Sequence, residues 1–516
     1  MRKLVTLSAI AALSTAAFAS ADLEAKIAEL ESKITKLEKK QAKNKENIIE
    51  LKQHDGQDDI KWDVDFRTAF DSIEYKHVDG TKSKNPDLLT NRLQLGMGFN
   101  PNDNTIFKGK LSYMKAFGDS MNHSQANTTA GTTAYNTFDW VTNENANDNT
   151  VKVKEAYWLY MNDTFLGTQV PWTISIGRRP STDGLGINMR EGMKDNSPLS
   201  HTVNVEFDGL SSKFNLDKVT GVQGMWWKLC TGRGLTNAMP RFSMDGTDYA
   251  AQTTEEMASH TKDVNMYGFI FVPYDNGQYS VHTNWARAEH LIGFDVADMQ
   301  TFGGNYQAYI TGLQDGNTSN DGNNLAAVMQ TTPQFKDVGD MDLFTAMFKA
   351  EGLGDGINDF LDDTRFFASW AQSKTNPQGG HEMLGSLESQ TGHSTWLGIN
   401  MPCPLTKDGR IGFEWNKGSK YWRSVTYAED TMTGSKIAAR GTAIEAYYNK
   451  PINNALSFNL RYTKIKYDYT GSNAFFGSDG NPMPIDSTAM ELMMEGLGSN
   501  PVKEASDFRA SVSYRF

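Results

Sequence analysis

Cysteine is scarce: Cys230 and Cys403 are the only two in 516 residues, too few for a disulfide framework. Their spacing demands no pairing, and they read as unpaired thiols. Long hydrophobic runs are missing too. Beyond the first 21 residues no stretch of about 18 apolar residues occurs, which excludes helical membrane spans in the remainder. Catalytic signatures are equally absent. The nine histidines show no HExxH or paired spacing, and no G-x-S-x-G, phosphate loop or dinucleotide fingerprint stands in a suitable context. No enzyme, metal or cofactor is implied. Asp315, Asn317, Ser319 and Asp321 begin like a calcium loop, but position six is Asn320 and position twelve Ala326, so the stretch reads as a polar loop. Positive charge is in deficit as well. Fifty Lys and Arg against 62 Asp and Glu give a net charge of -12, which argues against a nucleic-acid partner.

Aromatic residues and glycine are plentiful: 11% of the chain is aromatic, with 45 glycines. Mean hydropathy is nevertheless -0.53. A closed membrane barrel reconciles these values, because its strands need only every second residue apolar and every backbone group is paired within the ring.

Residues 1–21 carry Arg2 and Lys3, an apolar core from Leu4 to Phe18, and a small-residue cleavage site at Ala17-Phe18-Ala19 or Ala19-Ser20-Ala21. This pattern predicts a secretory signal peptide, with a core too short to anchor. Residues 22–55 follow a heptad: Leu23, Ile27, Leu30, Ile34 and Leu37, then Gln41, Asn44, Ile48 and Leu51. Glu24, Glu31 and Glu38 fall at e, and Lys26, Lys33 and Lys40 at g, as expected for a short parallel α-helical coiled coil. The alternative is one amphipathic helix lying on the barrel. Isoleucine at a with leucine at d leans towards a dimer.

Residues 56–516 are predicted to form the barrel. The final segment alternates Phe508, Ala510, Val512, Tyr514 and Phe516 with Asp507, Arg509, Ser511, Ser513 and Arg515. Period two with aromatics on one side is a strand with lipid on one face and water on the other. The same pattern places strands near 60–70, 91–99, 105–117, 151–161, 171–178, 202–216, 219–229, 263–273, 278–290, 341–351, 363–374, 394–401, 409–416, 437–449, 455–469 and 507–516. Long and short connections then alternate, the short ones including Asp217-Lys218, the long ones 71–90, 118–150, 179–201, 230–262 and 291–340. The fold class is therefore all-β, a transmembrane antiparallel up-and-down barrel of about 16 strands. Residues 300–311 could add a hairpin and give 18. Glu155 and Arg440 fall on the nominal lipid face, which marks those two strands as out of register.

Four stretches carry a family resemblance: Ile176-Gly177-Arg178-Arg179, Phe207-Asp208-Gly209-Leu210, Gly409-Arg410-Ile411-Gly412-Phe413 and Tyr514-Arg515-Phe516. Over roughly residues 60–516 the chain resembles outer-membrane porins, and more narrowly a porin-like family of unknown function with an N-terminal coiled coil. The resemblance implies an outer-membrane location with the coiled coil in the periplasm. It further implies a homotrimer, and Tyr514 and Phe516 as the signal read by the barrel assembly machinery.

It also implies a third loop folded into the lumen. Here that loop offers Arg178, Arg179, Asp183, Arg190, Glu191 and Asp195, with glycines that permit a tight inward path. Opposite it, barrel closure sets the last strand beside the first. The inner faces around this seam carry Lys61, Arg67, Arg92, Lys108, Lys110, Arg461, Arg509 and Arg515 against Asp63 and Asp65. A pore-lining basic ladder facing an acidic loop would put a transverse field across the pore; the alternative leaves several of these charges at the rims. The functional expectation is a channel for passive diffusion of small hydrophilic or charged solutes, with a lumen sparse in bulky plugs. The alternatives are a structural anchor tethering the envelope through the coiled coil, and a barrel hydrolase.

Overall fold

The computed structural model describes residues 60–119, 146, 150–193, 198–238, 242, 244–251, 261–315, 321–354, 356–427, 429, 431–488, 490 and 500–516. The expected signal peptide, the coiled coil, Asp195, Asn317 and Ser319 lie outside them. Residues 61–98 with 104–516 form one compact unit, to which 99–103 do not belong.

Sixteen antiparallel strands close into one barrel: β1 (Lys61–His77), β2 (Lys82–Asn102), β3 (Thr105–Ala116), β4 (Lys152–Asn162), β5 (Trp172–Arg179), β6 (Phe207–Asn215), β7 (Trp226–Leu235), β8 (Val264–Asp275), β9 (Tyr279–Gly293), β10 (Lys336–Glu351), β11 (Arg365–Pro377), β12 (Thr391–Pro402), β13 (Arg410–Gly418), β14 (Gly441–Pro451), β15 (Leu456–Tyr467) and β16 (Val502–Arg515). Each strand pairs with its neighbours in sequence, and β16 returns to β1 with Asp71 opposite Arg509. This answers the choice between 16 and 18 strands. Outside the barrel wall, Val203–Asn204 pairs in parallel with Val425–Thr426.

Alternation sorts the side chains. Phe66, Phe107, Trp158, Ile176, Leu229, Phe348, Trp370, Leu397, Phe413, Phe508 and Val512 point outward and stay exposed. Near the rim that carries the chain's C-terminal residue, the rings of Tyr160, Trp172, Phe165, Phe214 and Trp227 follow one another at centroid distances of 5.0–6.4 Å. An apolar band with an aromatic girdle at its edge is the outer surface of a barrel that meets hydrocarbon. Most connections alternate as expected: at this rim 103–104, 276–278 and 452–455 are the tightest, and at the other lie 117–151, 180–206, 294–335, 419–440 and 468–501; the exceptions are 352–364 at this rim and 78–81 at the other.

The structure corrects several expectations. The loop expected at 71–90 is strand: β1 and β2 continue to a four-residue connection, with Glu74 bonded to Lys82 and Lys84 at 2.7 Å each. Above the lipid both faces meet water, so the apolar half of the alternation fades while the ladder continues. The expected Asp217-Lys218 turn is a helical turn, Asp217–Thr220, closed by Gly221 at φ 73°, and the next strand begins only at Trp226. Residues 300–311 are helical, within α2 (Val296–Asp315), which packs on α3 (Asp321–Gln330). Phe302 and Tyr306 stack one turn apart there.

Glu155 does not face lipid. The β3–β4 register slips between Lys110 and Leu111, pairing them with Glu155 and Val153, so the bulged Lys154 is skipped and both charges turn inward. Arg440 precedes β14 and is buried inside, donating to the carbonyls of Trp422 (2.9 Å), Thr470 (2.9 Å) and Gly480 (2.6 Å).

Nor is the interior sparse. Residues from 180–206, 419–440 and 468–501 join the inner faces of β8–β12 in two apolar clusters, one around Val203, Leu291, Met341 and Phe476, the other around Ile187, Phe367, Trp396 and Ile437.

Candidate functional site

The polar side of the lumen is built from inward positions of β1, β2, β15 and β16. Arg67 lies directly opposite Arg92, and Arg461 directly opposite Arg509. Like charges in such pairs repel unless counter-charge is close. It is. Asp65 receives Arg92 at 3.2 Å and Arg515 at 2.9 Å, and Asp71 receives Arg509 at 2.5 Å. Asp71 and Asp507 are both buried on this wall. The ladder is therefore not the nearly bare basic wall expected from sequence: Asp71 lies beyond the strand end that the alternation marks, and Asp507 shares the inward parity of Arg509.

The other ladder residues are placed as follows. Lys61 and Lys108 are exposed towards the C-terminal rim, and Lys110 pairs with Glu155 at 2.9 Å.

The third connection, 180–206, runs inside the barrel, and most of its described residues are buried. Its short helix α1 (Ile187–Glu191) carries Arg190 and Glu191 to the arginine wall. Glu191 stands 3.4 Å from Arg461, 3.5 Å from Arg190 and 3.7 Å from Arg515. Burial alone would raise its pKa. The guanidiniums of Arg92, Arg190, Arg67 and Arg461 outweigh that and hold it below the usual carboxylate value. Asp183 sits 3.7 Å from Lys154, which also bonds Glu206 at 3.1 Å. Arg179 turns inward with its guanidinium over the Tyr157 ring, 4.4 Å from the centroid. Arg178 does not join them: it lies on the outward side, donating to Asp208 at 2.9 and 3.2 Å.

Neutral contacts fix the rest of this connection. Thr202 and Thr345 hydroxyls lie 2.8 Å apart, and the Leu199 amide donates to Asn284 at 3.2 Å. The buried Lys436 ammonium bridges Glu414 and Glu445 at 2.6 Å each. Glu445 also accepts from Arg190 at 3.4 Å, and Glu414 from the Trp396 indole at 2.9 Å. This network was missed at the sequence level. A signal was available, since Glu414 shares the inward parity of Gly412 and Asn416.

Two cavities open on this side. One, of about 280 Å³ near the C-terminal rim, is lined by seven cationic side chains, among them Arg67, Arg365, Arg410, Lys450 and Arg515, against the single carboxylate of Glu191. The other, of about 470 Å³, lies at the long-loop end between Tyr75, Tyr467 and residues 469–474. Asp71, Thr463, Ile465, Ala505 and Asp507, which sit between these levels on the same strands, are buried. At the chain's end Tyr514 faces outward, and Phe516 exchanges backbone hydrogen bonds with Val64 at 2.9 and 3.0 Å. Both cysteines are free. Among the described residues no group of three His, Cys, Asp or Glu could hold a metal ion.

The model of one family, described as protein of unknown function (DUF3373), matches residues 82–516. No curated protein matches. Among solved structures, the chain is similar to the anion-selective porin from Comamonas acidovorans (TM-score 0.44, 10% identity, 89% of this chain and 99% of that one). It is also similar to OprB of Pseudomonas putida in its high-pH structure (0.44, 10%, 89% and 94%) and to Salmonella typhi OmpF in complex with daunomycin (0.43, 10%, 90% and 99%).

Proposed function

We propose that this chain, which belongs to the DUF3373 family of proteins of unknown function, is an outer-membrane channel through which small hydrophilic or charged solutes diffuse passively. One observation carries the reading: a closed 16-stranded ring with an apolar outer face encloses charged, water-sized space on its inner face. Such a ring needs lipid around it, and confined fixed charge of one sign selects among the ions that enter. The inward connection 180–206 narrows the lumen, and the arginines of β1, β2, β15 and β16 give its polar side an anion preference. A homotrimer, with residues 22–55 as a periplasmic coiled coil, completes the proposal.

The test is reconstitution of the full chain in planar bilayers with a KCl gradient. The expected result is discrete conductance steps and a reversal potential of anion-selective sign. Replacing Arg92, Arg461 and Arg509 by Gln should move that potential towards zero. A folded barrel that never conducts would overturn the channel, and unchanged selectivity would remove the arginine wall from it. The loops packed against the inner faces of β8–β12 favour one second reading, an envelope anchor, for which the non-conducting result is the expected one.

A further inference from the structure

The cavity near the C-terminal rim shares Arg67, Arg461, Arg509 and Arg515 with the arginine wall and adds Arg365, Arg410 and Lys450, two of which are balanced differently. On the wall, each pair of facing arginines has a carboxylate beside it, Asp65, Asp71 or Glu191. At the mouth, Arg410 donates to the Asn400 amide oxygen at 2.5 Å and to the Asp363 carbonyl at 2.6 Å, and Lys450 donates to the Lys407 carbonyl. Neither is paired with a carboxylate among the described residues. Arg365 shares its charge with Glu351 at 2.7 Å. Seven cations thus line about 280 Å³, with Glu191 the one carboxylate among the described lining residues. Arg365, Arg461, Arg509 and Arg515 have carboxylate partners in Glu351, Glu191, Asp71 and Asp65, whereas Arg410 and Lys450 remain available to a ligand.

Between the charges stand neutral polar groups: Asn400, Asn449, Asn459, Ser457, Ser511 and Ser513. Fixed amides and hydroxyls at a charged site orient a ligand that has hydroxyl or carbonyl groups of its own. The space holds roughly nine waters, the bulk of a small organic acid or a sugar phosphate. Arginine forks match the planar oxygens of a carboxylate and the oxygens of a phosphate alike. Lys450 and Arg410 lie at the ends of β14 and β13 beside the short connections, so the site guards the rim that carries the chain's C-terminal residue.

We infer that this cavity is a binding site for a small multivalent oxyanion bearing hydroxyl groups, a hydroxylated polycarboxylate or a phosphorylated sugar, and that the channel is selective for such solutes. The inference rests on the channel reading for its transport half and on the cavity alone for its binding half.

The experiment has two arms. Binding of labelled citrate, inorganic phosphate and glucose 6-phosphate to the detergent-solubilised full chain is measured by equilibrium dialysis, with glucose as the neutral control. In bilayers, the same solutes are titrated against the KCl current. Citrate or a phosphate should bind saturably and block the current at matching concentrations, while glucose does neither. In the double variant Arg410→Gln, Lys450→Gln the half-saturating concentration should rise about tenfold, since two charge-assisted contacts are lost. Heat-modifiable migration on gels verifies that the variant barrel is folded.

Absence of saturable binding by every oxyanion, or equal binding by the folded double variant, would overturn the site. Binding that depends on Arg410 and Lys450 without any conductance would uphold the site and remove the channel, so the two failures are distinguishable. Preference for citrate over the phosphates, or the reverse, identifies which oxyanion source the site takes.

Discussion

His201 has no exposed surface; its Nδ1 lies 2.7 Å from the Ser369 hydroxyl and its Nε2 2.9 Å from that of Ser394, with Trp396 and Trp422 edge-on to the ring. Burial pushes its pKa down to about 3. Released from this pocket the ring would protonate near its ordinary value of 6.5. Between those values only the released form carries the proton, so docking of 180–206 loses free energy as pH falls below about 6.5. At pH 5 the loss is about 2 kcal/mol at 1.36 kcal/mol per unit. Cleavage within 180–206 by an acid-tolerant protease should accelerate from pH 7.5 to pH 5, and His201→Gln should flatten that dependence; a flat profile in the unaltered protein would dispose of the idea. Nothing in the sequence announced His201, because its partners come from β11 and β12, more than 160 positions away. Arg461 and Arg509 were legible for the opposite reason: parity along a strand decides their face without any partner.

At the scale of elements, the connection 180–206 shows what fixes an inward path. Gly186 takes φ 107°, and a Cβ there would fall on the Trp396 ring, so only glycine fits both the backbone and the neighbour. In Gly186→Val, α1 should leave its seat while the barrel persists. The expected readings are unchanged strand content by circular dichroism, faster proteolysis within 180–206, and single-channel conductance raised roughly twofold as the lumen widens. Unaltered conductance with a displaced loop would show that this element does not narrow the path. The glycines were visible in the sequence, but the ring they accommodate was not. The Lys154–Glu155 bulge behaves similarly: a misfit of parity marked the place, and only the register with β3 gave the cause. α2 gave no such warning, since its residues satisfy a period of two and a period of 3.6 over the same dozen positions.

For the whole molecule the decisive boundary is the outer face. Leu397 lies midway along β12 and is exposed there, with Ala368 and Trp415 as its cross-strand partners. Leu397→Arg should destabilise the barrel by about 2–4 kcal/mol, whereas Gln372→Arg, nearer the long-loop rim, should cost about 0–1 kcal/mol, the depth dependence of a charge held against lipid. Urea unfolding in lipid vesicles measures both. Equal effects would mean that this face is not embedded.

The sequence by itself determined the barrel class, a strand count of about 16 with 18 left open, and the face on which most wall residues lie. These follow from local periodicity and from the demand that a ring in lipid pair all its backbone. Only the tertiary structure decided which loops enter the ring, that apolar clusters pack against the inner faces of β8–β12, and where acidic partners offset the arginines. Those outcomes depend on side chains brought together from strands hundreds of residues apart, and no local period encodes such meetings.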